Sequence, residues 1–534
     1  MALKMETAKR TRILLLIFLI GILAIVIRLF WLQVVQHRFF QERSSQQRMR
    51  IINQVANRGD ILDRNGNILA TSIDTYSVFT QTPSFTYVAR KLTRAAAEKL
   101  KAEKPREYII ISEKKRFYPK NSLAAQLLGF VGMDNQGLSG IELAQDKYLK
   151  GKEGKVVTEG DPSGRELYGA LRVIEPGENG MDVVLTIDEN IQYIAEKAIQ
   201  EQVRKSAATS GLLIVMNAKT GDILALASKP DFDPNDYKKA GPQRWHPRFL
   251  DPYEPGSTFK LITAAAGLEE GVITLDTKLK ALDRIEIGGK VIENSHKIKF
   301  GGSTISIARM LEESINTATV QVGQKLGSER FYNRIKGFGF GDATNFGLQG
   351  ESRGIVRYWE NWYKPDVGMI TFGQGIAVTP LQLVSAVSAF ANHGKMVRPT
   401  IIKRIESSDG RFMKSFSGDF RGRAVSEKTA RQLIELMRGV VVRGSGRRAS
   451  MECFSVGGKT GTAQKAAPNG RGYLKGRFIA SFIGLAPLTD PQLIALVLID
   501  DPKGSIWGES VCGPVFKDVV EYSLRYLNAK PDML

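Results

Sequence analysis

Three short groupings of residues could do chemistry together. Ser257 and Lys260 stand three apart in Y-E-P-G-S-T-F-K, a hydroxyl and an amine one helical turn from each other. Ser314 and Asn316 form S-I-N, and Lys459, Thr460, Gly461 and Thr462 form K-T-G-T. A serine hydroxyl is a weak nucleophile until its proton is removed. A lysine one turn along the same helix face can reach it. Nucleophile and base is therefore one reading of the first pair. An N-cap serine beside a snorkelling lysine is the other.

No single motif decides. S-x-x-K arises by chance on the order of twice in a chain this long. It recurs as Ser112-Glu-Lys-Lys115, in a polar segment without a helix start. K-T-G recurs at Lys219-Thr220-Gly221, where a hairpin turn wants a glycine. Order and context carry the argument. Ser257 opens a helix after Pro255-Gly256, and Ser314-Ile-Asn316 interrupts two helical stretches. Lys459–Thr462 forms a turn that leads from F-S-V-G-G toward the final strands.

Certain elements must position these groups. Beyond about residue 190, apolar runs at strand length (L-L-I-V-M-N-A, I-L-A-L-A-S, R-F-I-A-S-F-I-G-L-A-P, L-I-A-L-V-L-I-D) come early and late. Helical patterns lie between them. That order predicts an antiparallel sheet packed with helices, an α+β fold, rather than βαβ alternation. The stretch 189–206 places Ile191, Ile194, Ala195, Ala198 and Ile199 on one helix face and begins this domain. Upstream, G-D-I-L-D-R-N-G-N-I-L-A reads as a hairpin turning at Asn65-Gly66. Arg58, Gly59, Asp60, Asp63 and Arg64 fit a role in holding that region together rather than in chemistry.

Ile13 to Val35 is apolar apart from Arg28 and Gln33. At about 1.5 Å per residue it reaches roughly 35 Å, enough to span a bilayer with some tilt. Lys4, Lys9, Arg10 and Arg12 precede it, which predicts a cytoplasmic N-terminus and an exported remainder. The span ends in W-L-Q-V-V without a small-residue cleavage site, so it reads as an uncleaved anchor. Arg28 either snorkels to the outer interface or faces another membrane protein.

The chain has 534 residues, enough for two or three domains, and a net charge of +20. Its basic residues are scattered, and there is neither zinc-finger spacing nor a phosphate loop. An anionic membrane or wall surface suits this charge better than nucleic acid. Two cysteines, Cys453 and Cys512, make a structural zinc site unattractive, and their pairing is open. Four histidines disfavour a histidine-based hydrolase.

S-x-x-K, S-x-N and K-T-G in this order resemble the signature of penicillin-binding proteins and serine β-lactamases. The likeness runs over nearly the whole chain. R-G-D-I-L-D-R-N-G, G-L-S-G-I-E-L-A-Q-D-K-Y-L, V-V-L-T-I-D-E-N-I-Q, G-D-I-L-A-L-A-S-K-P-D-F-D-P-N and F-G-Q-G-I-A-V-T-P-L-Q-L are similar to motifs of the class B, monofunctional members. Chain length and F-G-F-G-D-A-T-N-F-G-L-Q-G-E look most like the division-type member, with the elongation-type member as the alternative. Two departures are W-H-P-R-F-L-D-P-Y-E-P-G-S before the serine and V-C-G-P-V-F at Val511–Phe516.

The resemblance implies four segments: a cytoplasmic tail at 1–12, an anchor at 13–35, a non-catalytic mostly-β pedestal at 36–188 and a transpeptidase domain at 189–534. It implies D,D-transpeptidation of stem peptides ending in D-Ala-D-Ala during septal wall synthesis, and inhibition by β-lactams. A D,D-carboxypeptidase, a β-lactamase or a non-catalytic division scaffold are the other outcomes. Ser257 would attack the penultimate carbonyl and Lys260 would take its proton. At its ordinary pKa of about 10.4 a lysine is protonated near neutral pH, so a base needs a drop of about three units. Burial and a second cation, Lys459, would supply it. Ser314 would relay a proton, and Asn316 would hold the substrate backbone and Lys260. Thr460 and Thr462 would bind the terminal carboxylate, and the Ser257 and Thr462 N–H groups would form the oxyanion hole. Gly461 would keep the strand open to substrate. Implied partners are a polytopic glycan polymerase and other division proteins. No metal or cofactor is expected.

Overall fold

In the structure, a computed structural model describing residues 2–54, 56–80, 86–159, 173–298, 301–407, 409–416, 418–467 and 472–533, the run 212–216 is buried on both faces. Leu212, Ile214 and Met216 join one core with Leu261, Ile262, Val384 and Leu433. Leu213 and Val215 join another with Ile191, Ile199, Phe516 and Val519. Side chains alternate along a strand, so a continuous apolar run marks a sheet covered on both sides.

That sheet has five strands, in the order Ile223–Lys229, Ser210–Asn217, Leu493–Asp500, Tyr473–Ala486 and Gly457–Ala466. Every neighbouring pair is antiparallel, as the sequence pattern predicts. Helices Glu189–Lys205 and Gly513–Tyr526 cover one face. The expected stripe is present: Ile191, Ala195 and Ile199 are fully buried, with Ile194 and Ala198 packed at their edge. Burying each isoleucine contributes about 1.5–3 kcal/mol. Asp188 caps this helix by accepting from the N–H groups of Asn190 and Ile191. Helices Lys260–Glu269, Pro380–Ala391 and Glu427–Val442 cover the other face.

The chain forms two compact units. One comprises 1–56 and 151–178, and the other 57–150 and 179–534. In the first, a helix runs over Ala2–Phe30 and continues through a wider turn at Trp31–Val35. From Met5 to Val35 it is long and apolar enough to cross a membrane. Strands Met49–Gln54, Gly154–Glu159 and Val173–Glu175 make a small antiparallel sheet in the same unit. Residues 81–85 and 160–172 of the expected pedestal lie outside the described residues.

In the second unit the hairpin expected at Asn65-Gly66 is present, with Ile61 opposite Ala70 and Gly66 at φ +90°. Asp63 Oδ1 accepts from the N–H groups of Asn65 and Asn67, both at 2.8 Å, and fixes the turn. Arg58 meets the other upstream motif. It pairs with Glu142 and Asp146 at 2.6 Å each, and Arg116 reaches the second oxygen of Glu142 at 2.6 Å. Arg116 also donates to Gly59 O at 2.7 Å. The region is held together as the sequence reading expected, by an ion cluster whose central carboxylate is fully buried. Strand Asp182–Leu185 lies between Ile61–Leu62, in parallel, and Ile402–Glu406, antiparallel.

Candidate active site

Pro255 and Gly256 turn the incoming chain, with Gly256 at φ +57°. Ser257 follows in a single 3-10 turn, Gly256–Phe259, and the α-helix begins at Lys260. The sequence reading put the helix start at Ser257. The tighter turn forced by Pro-Gly moves it three residues on. Ser257 thereby lines a cleft of about 690 Å³, while Lys260 turns inward and is fully buried.

Ser314 sits between helices Ile307–Glu312 and Asn316–Leu326, at φ +54°. A non-glycine residue seldom adopts this left-handed backbone, and such residues gather at functional sites. The reversal turns its carbonyl and its hydroxyl toward Lys260. Lys260 Nζ donates to Ser314 O at 2.5 Å and to Asn316 Oδ1 at 2.7 Å, and lies 3.2 Å from Ser314 Oγ.

Lys459 approaches the same hydroxyl from the sheet. Its Nζ is 3.0 Å from Ser314 Oγ and donates to Thr460 O and Thr460 Oγ1 at 3.1 and 3.3 Å. It too is fully buried, and among the described residues no carboxylate pairs with either amine. Desolvation pushes the Lys459 amine down to about 7. Desolvation and then the Lys459 charge push Lys260 well below the ordinary lysine range. Both costs favour one neutral amine in the pair, and Lys260, which shares a chain turn with Ser257, is the candidate base. A neutral amine has two N–H donors and one lone pair. Ser314 O and Asn316 Oδ1 accept those two protons, which leaves the lone pair for a hydroxyl.

The K-T-G residues lie inside a strand, Gly457–Ala466, not in a turn. Its glycines concealed a strand that reads in sequence as a loop. It is the last strand of the sheet, and among the described residues its one strand partner is Tyr473–Ala486. Thr460 and Thr462 alternate onto the face that lines the cleft, with Ser257, Ser314 and Asn316. Gly461 lines the cleft with them and carries a second constraint. A Cβ there would lie 2.2 Å from Ser481 Oγ and 3.0 Å from Thr258 Cγ2, so the position has no room for a side chain. The glycine lets the strand approach the serine turn.

Ser445 was missed. Its Oγ is 2.9 Å from Thr460 Oγ1, and it lines the cleft. Ser445 N donates to Glu312 O at 2.9 Å, and Arg443 pairs with Glu312 at 2.6 Å, so the post-helix loop is clamped to the S-x-N segment. The only signal in sequence was R-G-S-G after a helix, which has no fixed spacing to the three motifs. Tyr473 and Trp507 also line the cleft. Both cysteines are free, and burial pushes the Cys512 thiol up.

Such a site can form a serine ester and pass its acyl group on, the work of an active-serine acyltransferase. The chain belongs to the class B penicillin-binding proteins. The family described as penicillin binding protein transpeptidase domain matches residues 211–521, and the penicillin-binding protein dimerisation domain matches 84–185. Stage V sporulation protein D of Bacillus subtilis is 35% identical over 516 residues, covering 89% of this chain and 79% of that protein. Peptidoglycan D,D-transpeptidase FtsI of Escherichia coli is 27% identical over 551 residues, covering 95% and 90%. The crystal structure of penicillin binding protein 3 from Mycobacterium tuberculosis, complexed with aztreonam, superposes with a TM-score of 0.74. The two are 28% identical, and the match covers 90% of this chain and 98% of that one. The protein is a peptidoglycan D,D-transpeptidase of the class B type, with the α+β fold read from its sequence.

Proposed function

We propose that this transpeptidase cross-links stem peptides at the division septum, by the following division of labour. Ser257 Oγ attacks the penultimate D-Ala carbonyl and forms an ester. Its proton passes to Lys260. D-Ala leaves with a proton relayed through Ser314, and the amine of a second stem peptide resolves the ester. Lys459 stays protonated and holds positive charge beside Ser314 and the substrate carboxylate, which Thr460, Thr462 and Ser445 bind by their hydroxyls. The donor peptide lies as an added strand along the outer edge of Gly457–Ala466. The Ser257 and Thr462 N–H groups take the developing oxyanion, where losing one donor costs roughly 100- to 1,000-fold in rate. Asn316 positions Lys260 and the substrate backbone.

The observation that carries this reading is the convergence of the Lys260 and Lys459 amines on Ser314 Oγ, in the cleft Ser257 lines. A covalent band with fluorescent penicillin on the parent, and none on a folded Ser257→Ala variant, is the expected result. Equal labelling of both would remove Ser257 from the mechanism.

In this reading residues 1–12 face the cytoplasm, 13–35 anchor the chain and 36–188 form a non-catalytic pedestal. Residues 189–534 act outside the cytoplasmic membrane. A polytopic glycan polymerase and other division proteins are the partners, with the anchor around Arg28 as one place of contact. The likeness to FtsI supports the septal role. The likeness to a sporulation protein favours a second reading, wall synthesis in spore formation. Depletion decides: filamentous cells are expected for a septal enzyme, and normal division with defective spores for the other.

A further inference from the structure

Helix Ser328–Gly337 and the loop before helix Asp366–Ile370 carry a dense group of rings. Tyr358 is 47% exposed and Tyr363 75%, while Tyr332, Trp359 and Trp362 are part-exposed. Tyr332 stands edge-on to Tyr358 at 5.3 Å and to Trp362 at 6.3 Å, and Tyr358 lies 5.9 Å from Trp359.

This shelf is fixed from beneath. Trp362 Nε1 donates to Arg357 O at 2.9 Å, Arg357 pairs with Asp366 at 2.8 Å, and Tyr363 N donates to Asp366 Oδ2 at 2.9 Å. Trp362 also packs on the buried Phe331, with ring centroids 6.3 Å apart. Single exposed apolar residues need no explanation, but a clustered, braced set of rings marks a binding surface.

The loop that carries the shelf adjoins a hairpin that lines the catalytic cleft. Hairpin Arg284–Ile287 and Lys290–Glu293 supplies cleft-lining residues Lys290, Val291, Ile292 and Glu293. Its turn presses on the ring-bearing loop: a Cβ at Gly288 would lie 2.6 Å from Lys364 Cβ and 3.0 Å from Pro365 Cδ. A stem peptide held in the cleft is covalently tied to a glycan strand, which is too large for the cleft and must lie on the surface beside it. N-acetylated sugar rings have flat C–H faces that lie on aromatic rings, with hydroxyls and amides at their edges. The rim here is polar and exposed, with Arg357, Glu360, Asn361 and Lys364. Tyrosine and tryptophan suit such a ligand because each joins an apolar face to a polar handle.

We infer that the Tyr358–Trp359–Tyr363 shelf binds the N-acetylated glycan strand that bears the stem peptide being cross-linked. This rests on the transpeptidase reading of the cleft. The shelf gives the enzyme purchase on polymer, and a short free peptide would not use it.

The test uses the full chain in detergent and peptide-free glycan strands released from peptidoglycan by an amidase. Binding is followed by tryptophan fluorescence and calorimetry. The parent is expected to bind. Trp359→Ala with Tyr363→Ala is expected to bind roughly tenfold or more weakly, as truncating aromatic anchors does. Tyr363→Ala alone, at a mostly exposed side chain, gives a partial loss in a variant whose packing is untouched. Penicillin acylation and turnover of a short D-Ala-D-Ala peptide should stay at the parent rate, while cross-linking of polymeric strands falls. A parent that ignores the strands overturns the inference. So do variants that bind strands equally well, or that lose only self-association or a protein partner. Failure of the transpeptidase reading would show separately, as a parent that penicillin does not acylate.

Discussion

The amines of Lys260 and Lys459 reach one oxygen. Ser314 Oγ lies 3.2 Å from the first and 3.0 Å from the second. Two cations so placed in a buried site repel each other, and desolvation disfavours both. Loss of one proton relieves both costs, which leaves a base and a fixed cation side by side. The consequences can be measured.

Lys260→Met should lower the penicillin acylation rate roughly 100- to 10,000-fold, the usual weight of a general base. Lys260→Arg should be no better, because a guanidinium keeps its proton at any working pH. Thermal unfolding confirms that each variant is folded. Near-parent acylation in a folded Lys260→Arg would show that no proton passes to this residue.

The Lys459 amine, near 7, gives acylation an alkaline limb in the free enzyme. The cation is present below that pH and lost above it, so kcat/KM should fall as pH rises through about 7. Lys459→Arg should carry this limb up beyond the accessible range. The acid limb, set by Lys260, should remain.

Stability should respond in the opposite sense. The folded state holds Lys459 near 7, while the unfolded chain has an ordinary lysine near about 10.4. Between those values the unfolded state binds more protons, so stability rises with pH. Below 7 both states are charged and the full cost of burying the ammonium is present. Melting curves of the parent should show a rise from pH 7 to pH 10 that is smaller in Lys459→Met. Parallel curves would deny the depressed amine.

Gly461→Ala should impair folding and acylation together, because the new methyl points at Ser481 and Thr258. Overpacking of this kind costs about 1–3 kcal/mol. Ser481→Ala in the same chain removes the atom 2.2 Å away and should restore part of the melting temperature. A stable Gly461→Ala that is impaired only with substrate would show that packing against Ser481 and Thr258 is not what requires a glycine here.

Glu142→Ala leaves Arg58 and Arg116 buried without their shared carboxylate. A loss of about 3–5 kcal/mol is expected, as for other broken buried pairs. The acylation rate of the folded fraction should stay near the parent value. A parent-like melting temperature would show that solvent or other groups replace the carboxylate.

Local chemistry was legible wherever the causes are local. Asn65-Gly66 forces a tight turn, and the stripe from Ile191 to Ile199 turns one helix face inward. Leu212–Met216 alternates between two cores. Reading failed where glycine removed the signal. The strand Gly457–Ala466 looked like a turn, and the packing of Gly461 against Ser481 and Thr258 left no trace in the sequence. Ser445 escaped because only a contact with Glu312 brings it to Thr460.

By itself the sequence determined that a serine and a lysine share one turn of chain, since three residues of separation fix that within any helix-like geometry. It also fixed an antiparallel sheet through the placing of its apolar runs. Only the tertiary structure decided that Ser314 meets Lys260 from 54 residues away and Lys459 from 145. It also decided that Ser314 takes a left-handed backbone to do so. Separations of that size carry no local preference. They are set by how two helical layers and a sheet edge bury their apolar faces, and the depressed lysine pKa values follow from that burial.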